Sequence, residues 1–304
     1  MSLKFICPLC QSPLIPHAKT WTCDGSKNDK LTQHPFDVAK QGYVNLLPVQ
    51  RKKSKTPGDS AHSIEARHRF LQAGHYEPLL DAIKELVADS ANDLANNQPS
   101  AWLDVGCGDG YYTFGIVDAL STTHQTKVIA MDISKPAVIQ LSKTAKQIGI
   151  LWSQNDKHGI YPLVASASNL PLADNSVTGI SSIFSPIIPA EFARVMRAGG
   201  RLVIAKPDVR HLASVREALF DTVRPHDSDK FLLELEPYFS LNQRVEVISE
   251  LRLDGEAMAD LLTMTPYAYR AKRERREALF RPAKAGKFET TAKFLLYELV
   301  KKAK

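Results

Sequence analysis

The apolar positions of this chain follow two different patterns, and before residue 50 neither of them. Between Ser63 and about Ala91 they recur at helical spacing, through Ile64, Phe70, Leu71, Leu79, Leu80, Ile83 and Leu86. That spacing predicts helix, and Gly74 with Pro78 predicts a break into two helices. From Ala101 onward short apolar runs alternate with helical segments: Trp102 to Val105, Lys127 to Met131, Tyr161 to Val164, Gly179 to Phe184 and Leu202 to Ala205. Alternation of this kind predicts an α/β fold built on an open, mostly parallel sheet. Two later runs, Val245 to Ile248 and Ala292 to Val300, predict strands that close the sheet as an antiparallel pair. Before residue 50 neither period holds, because Pro8, Pro13, Pro16, Gly25 and Pro35 forbid a long helix and leave short strands and turns. Lys52 to Asp59, rich in Lys, Ser, Pro and Gly, reads as a linker.

Composition supports this division. With 304 residues and 44% hydrophobic content, the chain can bury a core of about 200 residues beside a small extra module. The expected layout is a module over 1–50, a joining segment over 51–90 and the α/β domain over 91–304. No stretch approaches the roughly 18 apolar residues of a membrane span, and the N-terminus lacks the apolar run of a signal peptide. These features predict a cytoplasmic protein with no membrane partner. The formal charge of +6 is bunched, in Arg51-Lys-Lys-Ser-Lys55, in Arg270-Ala-Lys-Arg-Glu-Arg-Arg276 and in Lys301, Lys302 and Lys304. Any one run could be a solvated face, but next to a metal-binding module a phosphate-binding surface is the better reading.

Three of the four cysteines lie in the first 23 residues, which argues for metal rather than a disulfide framework. Cys7, Cys10, Cys23 and His34 give the spacing C-x2-C-x12-C-x10-H. A C-x2-C turn brings two thiolates to one tetrahedral zinc, and four protein ligands leave no open position, so the zinc is expected to be structural. His17 is the other imidazole near enough to compete with His34, and three buried free thiols without metal are the alternative to the whole site.

The stretch Leu103-Asp104-Val-Gly106-Cys-Gly108-Asp109-Gly110 follows an apolar strand and precedes the helix-like Tyr111-Tyr112-Thr-Phe. Glycines there let backbone approach a ligand, although a plain tight turn would also use them. Their spacing, i, i+2 and i+4, differs from the i, i+2, i+5 of a dinucleotide site. Asp132 ends the next strand, where a carboxylate can accept from both hydroxyls of a ribose. Asn169 and Leu170 follow the third strand, at the usual place for contacts to an adenine ring. This order is that of a class I (Rossmann-like) methyltransferase domain, with S-adenosyl-L-methionine as cofactor. Asp104, Gly106, Gly108, Gly110, Tyr111, Tyr112, Asp132, Asn169 and Leu170 are its candidate binding residues.

Segments spread over nearly the whole chain resemble one family, the bacterial 23S rRNA (guanine-N1)-methyltransferases called RlmA. They are Cys7-Pro-Leu-Cys10, His34-Pro-Phe-Asp37, Gly42-Tyr-Val-Asn-Leu-Leu-Pro-Val-Gln50, Pro57-Gly-Asp-Ser60, Phe70-Leu-Gln-Ala-Gly-His-Tyr76, Gly106-Cys-Gly-Asp-Gly-Tyr-Tyr112 and Met264-Thr-Pro266. The resemblance implies a zinc module that helps recognise a folded hairpin of 23S rRNA, in the helix 35 region, whose loop guanine is methylated on N1. It also favours His34 as fourth ligand and leaves room for a homodimer on the RNA. Asp24 to Gln33 is longer than the family's usual interval between cysteine and histidine.

Methyl transfer needs little covalent help, because alignment of N1 with an already activated carbon supplies most of the rate. N1 carries a proton that must leave, and Asp59 and Asp109 are the candidate bases. Asp59 could instead cap the following helix, and Asp109 could stabilise its own turn. Tyr111 and Tyr112 could stack on the target base or simply pack. Phe184-Ser185-Pro186 ends the fourth strand without the Asn or Asp that methyltransferases acting on exocyclic amines carry there, so a ring nitrogen is compatible and Ser185 or Pro186 could line the base pocket. Two other readings compete: a methyltransferase for small quinone-like or antibiotic-like molecules, and a zinc-dependent RNA-binding protein with an inactive methyltransferase domain.

Overall fold

The computed structural model describes residues 3–52, 54–93, 100–121, 126–152, 159–221, 229–267, 271–285 and 288–303. Lys53, Arg270 and Lys304, part of the basic runs, lie outside the described residues.

The N-terminal strands β1 (Phe5–Ile6), β2 (Pro13–Ile15), β3 (Thr20–Cys23) and β4 (Pro35–Asp37) form a small antiparallel sheet in that order. Its strands are two to four residues long, as the prolines between them require. So short a sheet buries few side chains of its own. It docks instead on the larger domain: the Ile6 amide donates to the Pro171 carbonyl at 3.1 Å and the Ala173 amide to the Lys4 carbonyl at 3.0 Å. Phe5 and Trp21 (centroids 4.6 Å apart) meet Tyr161 and Trp152, with Phe5 at 5.4 Å from Tyr161 and Trp21 at 5.8 Å from Trp152. These aromatics belong to one buried cluster with the sheet residues Leu103, Ile129 and Leu163, so burial at the joint stabilises both parts.

Beyond the small sheet come β5 (Val44–Asn45), a helical turn at Val49–Arg51, and helices α1 (Ala61–Gln72) and α2 (Glu77–Asp93). The break between the helices falls where Gly74 (φ +81°) and Pro78 predict it. Then follow β6 (Ser100–Val105), α3 (Tyr111–Ser121), β7 (Thr126–Asp132), α4 (Lys135–Gln147), β8 (Gly159–Val164), β9 (Val177–Ile183), α5 (Pro189–Val195) and β10 (Met196–Pro207). The chain ends through α6 (Ala213–Leu219), α7 (Phe231–Leu235), β11 (Phe239–Leu253), α8 (Gly255–Met264), α9 (Arg273–Lys284) and β12 (Phe288–Lys301).

The large sheet has the order β11-β12-β10-β9-β6-β7-β8-β5. Pairings from β10 through β5 are parallel, while β12 is antiparallel to both β10 and β11, as the two late apolar runs predict. Val44 and Asn45 pair with Leu163 and Val164, so this part of the first 50 residues physically extends the large sheet. Chain order reverses at β6, whose neighbours are β7 and β9. That is the topological switch point, where a crevice opens beyond the carboxyl ends of the strands. The glycine loop after Val105 lies there.

Candidate active site and zinc site

In the ribbon, the turn after Cys7 closes through the Gln11 amide on the Cys7 carbonyl at 2.9 Å, with Gln11 in the left-handed region at φ +61°. Strand β3 delivers Cys23 opposite the segment carrying His34, whose amide donates to the Cys23 Sγ at 3.1 Å. The four ligand atoms of Cys7, Cys10, Cys23 and His34 all lie within 4.8 Å of one another. Cys10 Sγ is 3.7 Å from Cys23 Sγ, and the His34 Nδ1 is 3.5 Å from Cys23 Sγ and 3.6 Å from Cys7 Sγ. Ligands about 2.3 Å (sulfur) and about 2.0 Å (nitrogen) from a common tetrahedral zinc would stand about 3.5–3.8 Å apart. The donor set therefore fits zinc, and His17 takes no part in the cluster. Burial pushes the Cys7 thiol up to about 12, while at Cys10 burial is outweighed by hydrogen bonds with Ser12, His34 and Cys7 together, which bring it down to about 6. A divalent cation removes that conflict by holding all three sulfurs as thiolates.

The glycine loop uses its three glycines for three different reasons. All have positive φ, +74° at Gly106, +56° at Gly108 and +98° at Gly110. A Cβ on Gly106 would lie 2.3 Å from the Ser185 Cβ, and one on Gly110 would lie 2.7 Å from the Phe114 ring. Those two glycines permit close packing of the loop on β9 and within α3. A Cβ on Gly108 would meet only the Arg67 guanidinium, at 4.0 Å. The backbone of Gly108 thus faces open space, the form of a cradle that a ligand fills and a side chain would block.

Asp132 braces the loop from the next strand: one carboxylate oxygen accepts from the Gly108 amide at 3.0 Å and the other from the Ser134 amide at 2.7 Å. Burial holds its carboxyl above the usual range. Each oxygen keeps a second lone pair. Asp104 is only 2% exposed. Its oxygens accept from the Thr113 and Ser181 hydroxyls, both at 2.6 Å, and burial raises its carboxyl to about 6 despite them. Asp104 therefore ties α3 and β9 to the root of the loop rather than facing the cradle. Leu170 is fully buried and its amide donates to Glu191, while Asn169 stays half-buried beside β8. Tyr111 is half-buried and Tyr112 buried, their rings 5.0 Å apart and edge-on.

The two candidate bases are both engaged. Asp59 does not cap α1; Ser60 does, accepting from the Ser63 amide at 3.2 Å. The Asp59 carboxylate pairs with Arg67 at 2.7 Å, and its carbonyl accepts from Ser134, which caps α4. Gly58, at φ +83°, lets this segment press on Ser134, since a Cβ there would come within 2.7 Å. The apparent linker is thus a clamp that lays α1 across the cofactor loop. Asp109 is 3% exposed, and its Oδ2 lies 2.7 Å from the Nδ1 of His68 on α1. That bond raises the His68 imidazole above its ordinary 6.5.

Sequence reasoning missed Arg67 and His68, and it passed over Phe184 for its neighbours Ser185 and Pro186. The Phe184 side chain is 45% exposed and its backbone is left-handed, at φ +53°. A bulky residue in that region is strained. Its ring lies 6.1 Å from Tyr112 and 5.6 Å from Phe294, just beyond β9. The Tyr112 hydroxyl is buried with no hydrogen-bond partner among the described residues. Phe184 stands in an uncharged stretch rich in Ile and Ser that gave no signal, and its neighbours across the cleft were not readable in the chain.

Comparison with known proteins converges on this arrangement. A family model described as the N-terminal domain of RlmA, a zinc ribbon, matches residues 5–55, and one described as a methyltransferase domain matches residues 103–202. A candidate 23S rRNA (guanine-N(1)-)-methyltransferase of Micromonospora griseorubida is 30% identical over 226 residues, covering 70% of this chain and 68% of that protein. The chain belongs to the 23S rRNA (guanine-N1)-methyltransferase family. Within this family, the 23S rRNA (guanine(748)-N(1))-methyltransferase of Streptomyces fradiae is 29% identical, covering 86% of this chain and 85% of that protein. The candidate family member YxjB of Bacillus subtilis is also 29% identical, with 89% coverage of each. The family assignment and the open cradle at Gly108 make S-adenosyl-L-methionine the cofactor, and the ribbon holds structural zinc. Among the described residues, no helix is long and apolar enough to cross a membrane.

The basic runs are less free than the sequence suggests. Arg273 pairs with Glu277 at 2.7 Å and Arg275 with Asp221. Lys301 bonds the Met196 carbonyl and Asn175, and Lys302 pairs with Glu236 at 3.0 Å. Lys27 and Lys30 within the ribbon, and Arg51 and Lys55 after it in the chain, are exposed.

Proposed function

We propose that this enzyme transfers a methyl group from S-adenosyl-L-methionine to N1 of a guanine in a hairpin loop of 23S rRNA, in the helix 35 region, in the cytoplasm. The observation that carries the reading is the juxtaposition of the open Gly108 cradle with the exposed, strained Phe184 ring. Gly106 and Ser185 tie the two together, since the loop packs directly on the end of β9.

In this reading the Gly108 backbone lies against the methionine part of the cofactor, and Asp132 offers its remaining lone pairs to the ribose. Asn169 flanks the adenine, while Asp104, Gly106, Gly110 and Leu170 act by shaping the loop and its surroundings. An enzyme that alters a base must take it out of its stack, and an exposed aromatic ring compensates the lost stacking. Phe184 serves that role, with the Tyr112 ring edge-on beside it at 6.1 Å. The ribbon, docked through Phe5 and Trp21, presents its lysines to the RNA backbone.

Incubation with labelled S-adenosyl-L-methionine and 23S rRNA lacking the modification, followed by nuclease digestion and mass spectrometry, tests this directly. N1-methylguanosine at one hairpin position is the expected product. Cofactor binding with no RNA methylation would move the acceptor to a small molecule.

A further inference from the structure

We propose that His68 accepts the N1 proton of the target guanine, and that Asp109 is the positioning residue that holds its imidazole; this rests on the guanine-N1 reading above. The four carboxylates described around the glycine loop are each engaged by a neighbour. Asp59 is neutralised by Arg67, Asp132 is held by two backbone amides, Asp104 by two hydroxyls, and Asp109 is buried beneath His68. His68 lies above Asp109 with 36% of its side chain exposed.

The geometry defines its tautomer. With Nδ1 at 2.7 Å from the Asp109 carboxylate, the Nδ1 proton is donated there and the lone pair is left on Nε2. Among the described residues Nε2 has no hydrogen-bond partner. The same helix places the neighbouring Arg67 beside the open position at Gly108, so α1 faces the cradle. A buried acid behind an exposed imidazole stabilises the imidazolium that proton transfer creates.

The step balances. A bond forms between N1 and the methyl carbon while the carbon–sulfur bond of the sulfonium breaks, its electron pair staying on sulfur as a thioether. The N1–H bond breaks with its electrons retained by the ring, and the proton moves to Nε2. Water takes it from the imidazolium after product leaves.

Among the described residues, the charge that acts on His68 is that of Asp109. Asp109 faces it from the glycine loop, Arg67 on its own helix is turned to Asp59, Arg69 binds Asp260 of α8, and Asp132 at the end of β7 is held by amides. Asp109 therefore sets the direction of the shift, upward from 6.5. Only neutral His68 accepts a proton, so turnover falls as pH drops through that raised value.

The experiment compares wild type, His68→Gln, His68→Ala and Asp109→Asn on 23S rRNA lacking the methyl group, over a pH series. Calorimetry measures S-adenosyl-L-methionine binding, and NMR of the imidazole nitrogens follows His68 in the wild type. For His68→Gln the expected result is a loss of about 10²–10⁴-fold in kcat, with KM for RNA and cofactor affinity unchanged within about threefold. Its rate should recover at alkaline pH, where guanine N1 ionises unaided, and added imidazole should partly rescue His68→Ala. Asp109→Asn should shift the acidic limb downward. In the NMR titration His68 should carry its proton on Nδ1 and titrate above 6.5.

A His68→Gln enzyme with wild-type kcat and pH profile overturns the proposal. So does a loss that alkaline pH and imidazole leave unrelieved, or a wild-type His68 that carries its neutral-form proton on Nε2. Wild-type enzyme that makes no N1-methylguanosine would instead overturn the substrate reading.

Discussion

In the zinc ribbon, all four ligands lie within 27 positions of one another along the chain, whereas the cleft joins residues as far apart as Gly58, His68, Gly108, Asp132 and Phe184. The ribbon has strands of two to four residues and gains its rigidity from a metal. The cleft gains its rigidity from a buried parallel sheet and from a clamp of backbone and side-chain bonds around Ser134 and Arg67. One site is stabilised locally by coordination, the other by the apolar core beneath it. Their shared boundary is the aromatic joint of Phe5, Trp21, Trp152 and Tyr161.

The contrast predicts separable failure, and the largest effect belongs to the metal. Cys10→Ser should lose zinc and, with it, stabilisation of the ribbon on the order of 10 kcal/mol, read as zinc content and as fast amide exchange over the small sheet. Cofactor affinity should stay within about threefold of wild type while rRNA methylation collapses. If cofactor binding falls together with zinc, the aromatic joint couples the two sites and the contrast breaks.

Gly108→Arg is next. A side chain in the open cradle should lower cofactor affinity by about a thousandfold or more, roughly 4 kcal/mol, in a calorimetric titration, with zinc content intact. Retained affinity would show that the Gly108 backbone does not line the cofactor. Phe184→Ala should cost about 1–3 kcal/mol of base stacking, seen as a drop of about 10- to 100-fold in kcat/KM on rRNA, with cofactor affinity unchanged. Because the substitution also lightens a left-handed position, its melting temperature should not fall in proportion. A wild-type kcat/KM would remove Phe184 from the base site. The smallest effect is expected at the ion pairs that occupy the basic runs: Arg273→Ala should change stability by no more than about 0.5 kcal/mol in a denaturant titration. A similarly small change in RNA affinity would place phosphate recognition at the ribbon, while a loss of tenfold or more would place it on α9.

Legibility followed the same divide. The C-x2-C pair was readable because turn geometry ties spacing to ligand position, and Cys23 by its residue type, whereas His34 competed with His17 and was favoured by the family resemblance. The longer Asp24 to Gln33 interval does not displace His34: its loop turns back through Gly25, at φ +71°, and returns the histidine to Cys23. The glycine loop and the late antiparallel strands were equally plain, since periodicity and positive-φ demand are local properties. Roles within the cleft were not. Asp104 read as a cofactor contact and turned out to be a buried brace; Asp59 read as a base or cap and turned out to anchor Arg67. Tyr112 read as a ring that stacks or packs and is buried, while Phe184, just beyond β9, holds the exposed face. Each difference comes from partners about 10 to 110 positions away, such as Thr113 and Ser181 for Asp104.

By itself, then, the amino-acid order determined the elements, the three zinc-binding cysteines and the location of a cofactor loop, because each depends on dihedral preference, hydrophobic period or short-range spacing. Only the tertiary structure decided which carboxylate is buried, which is ion-paired and which imidazole stands in front of Asp109. Those outcomes depend on the packing of α1 against the loop, and burial and pairing are properties of a three-dimensional neighbourhood that a one-dimensional spacing does not specify.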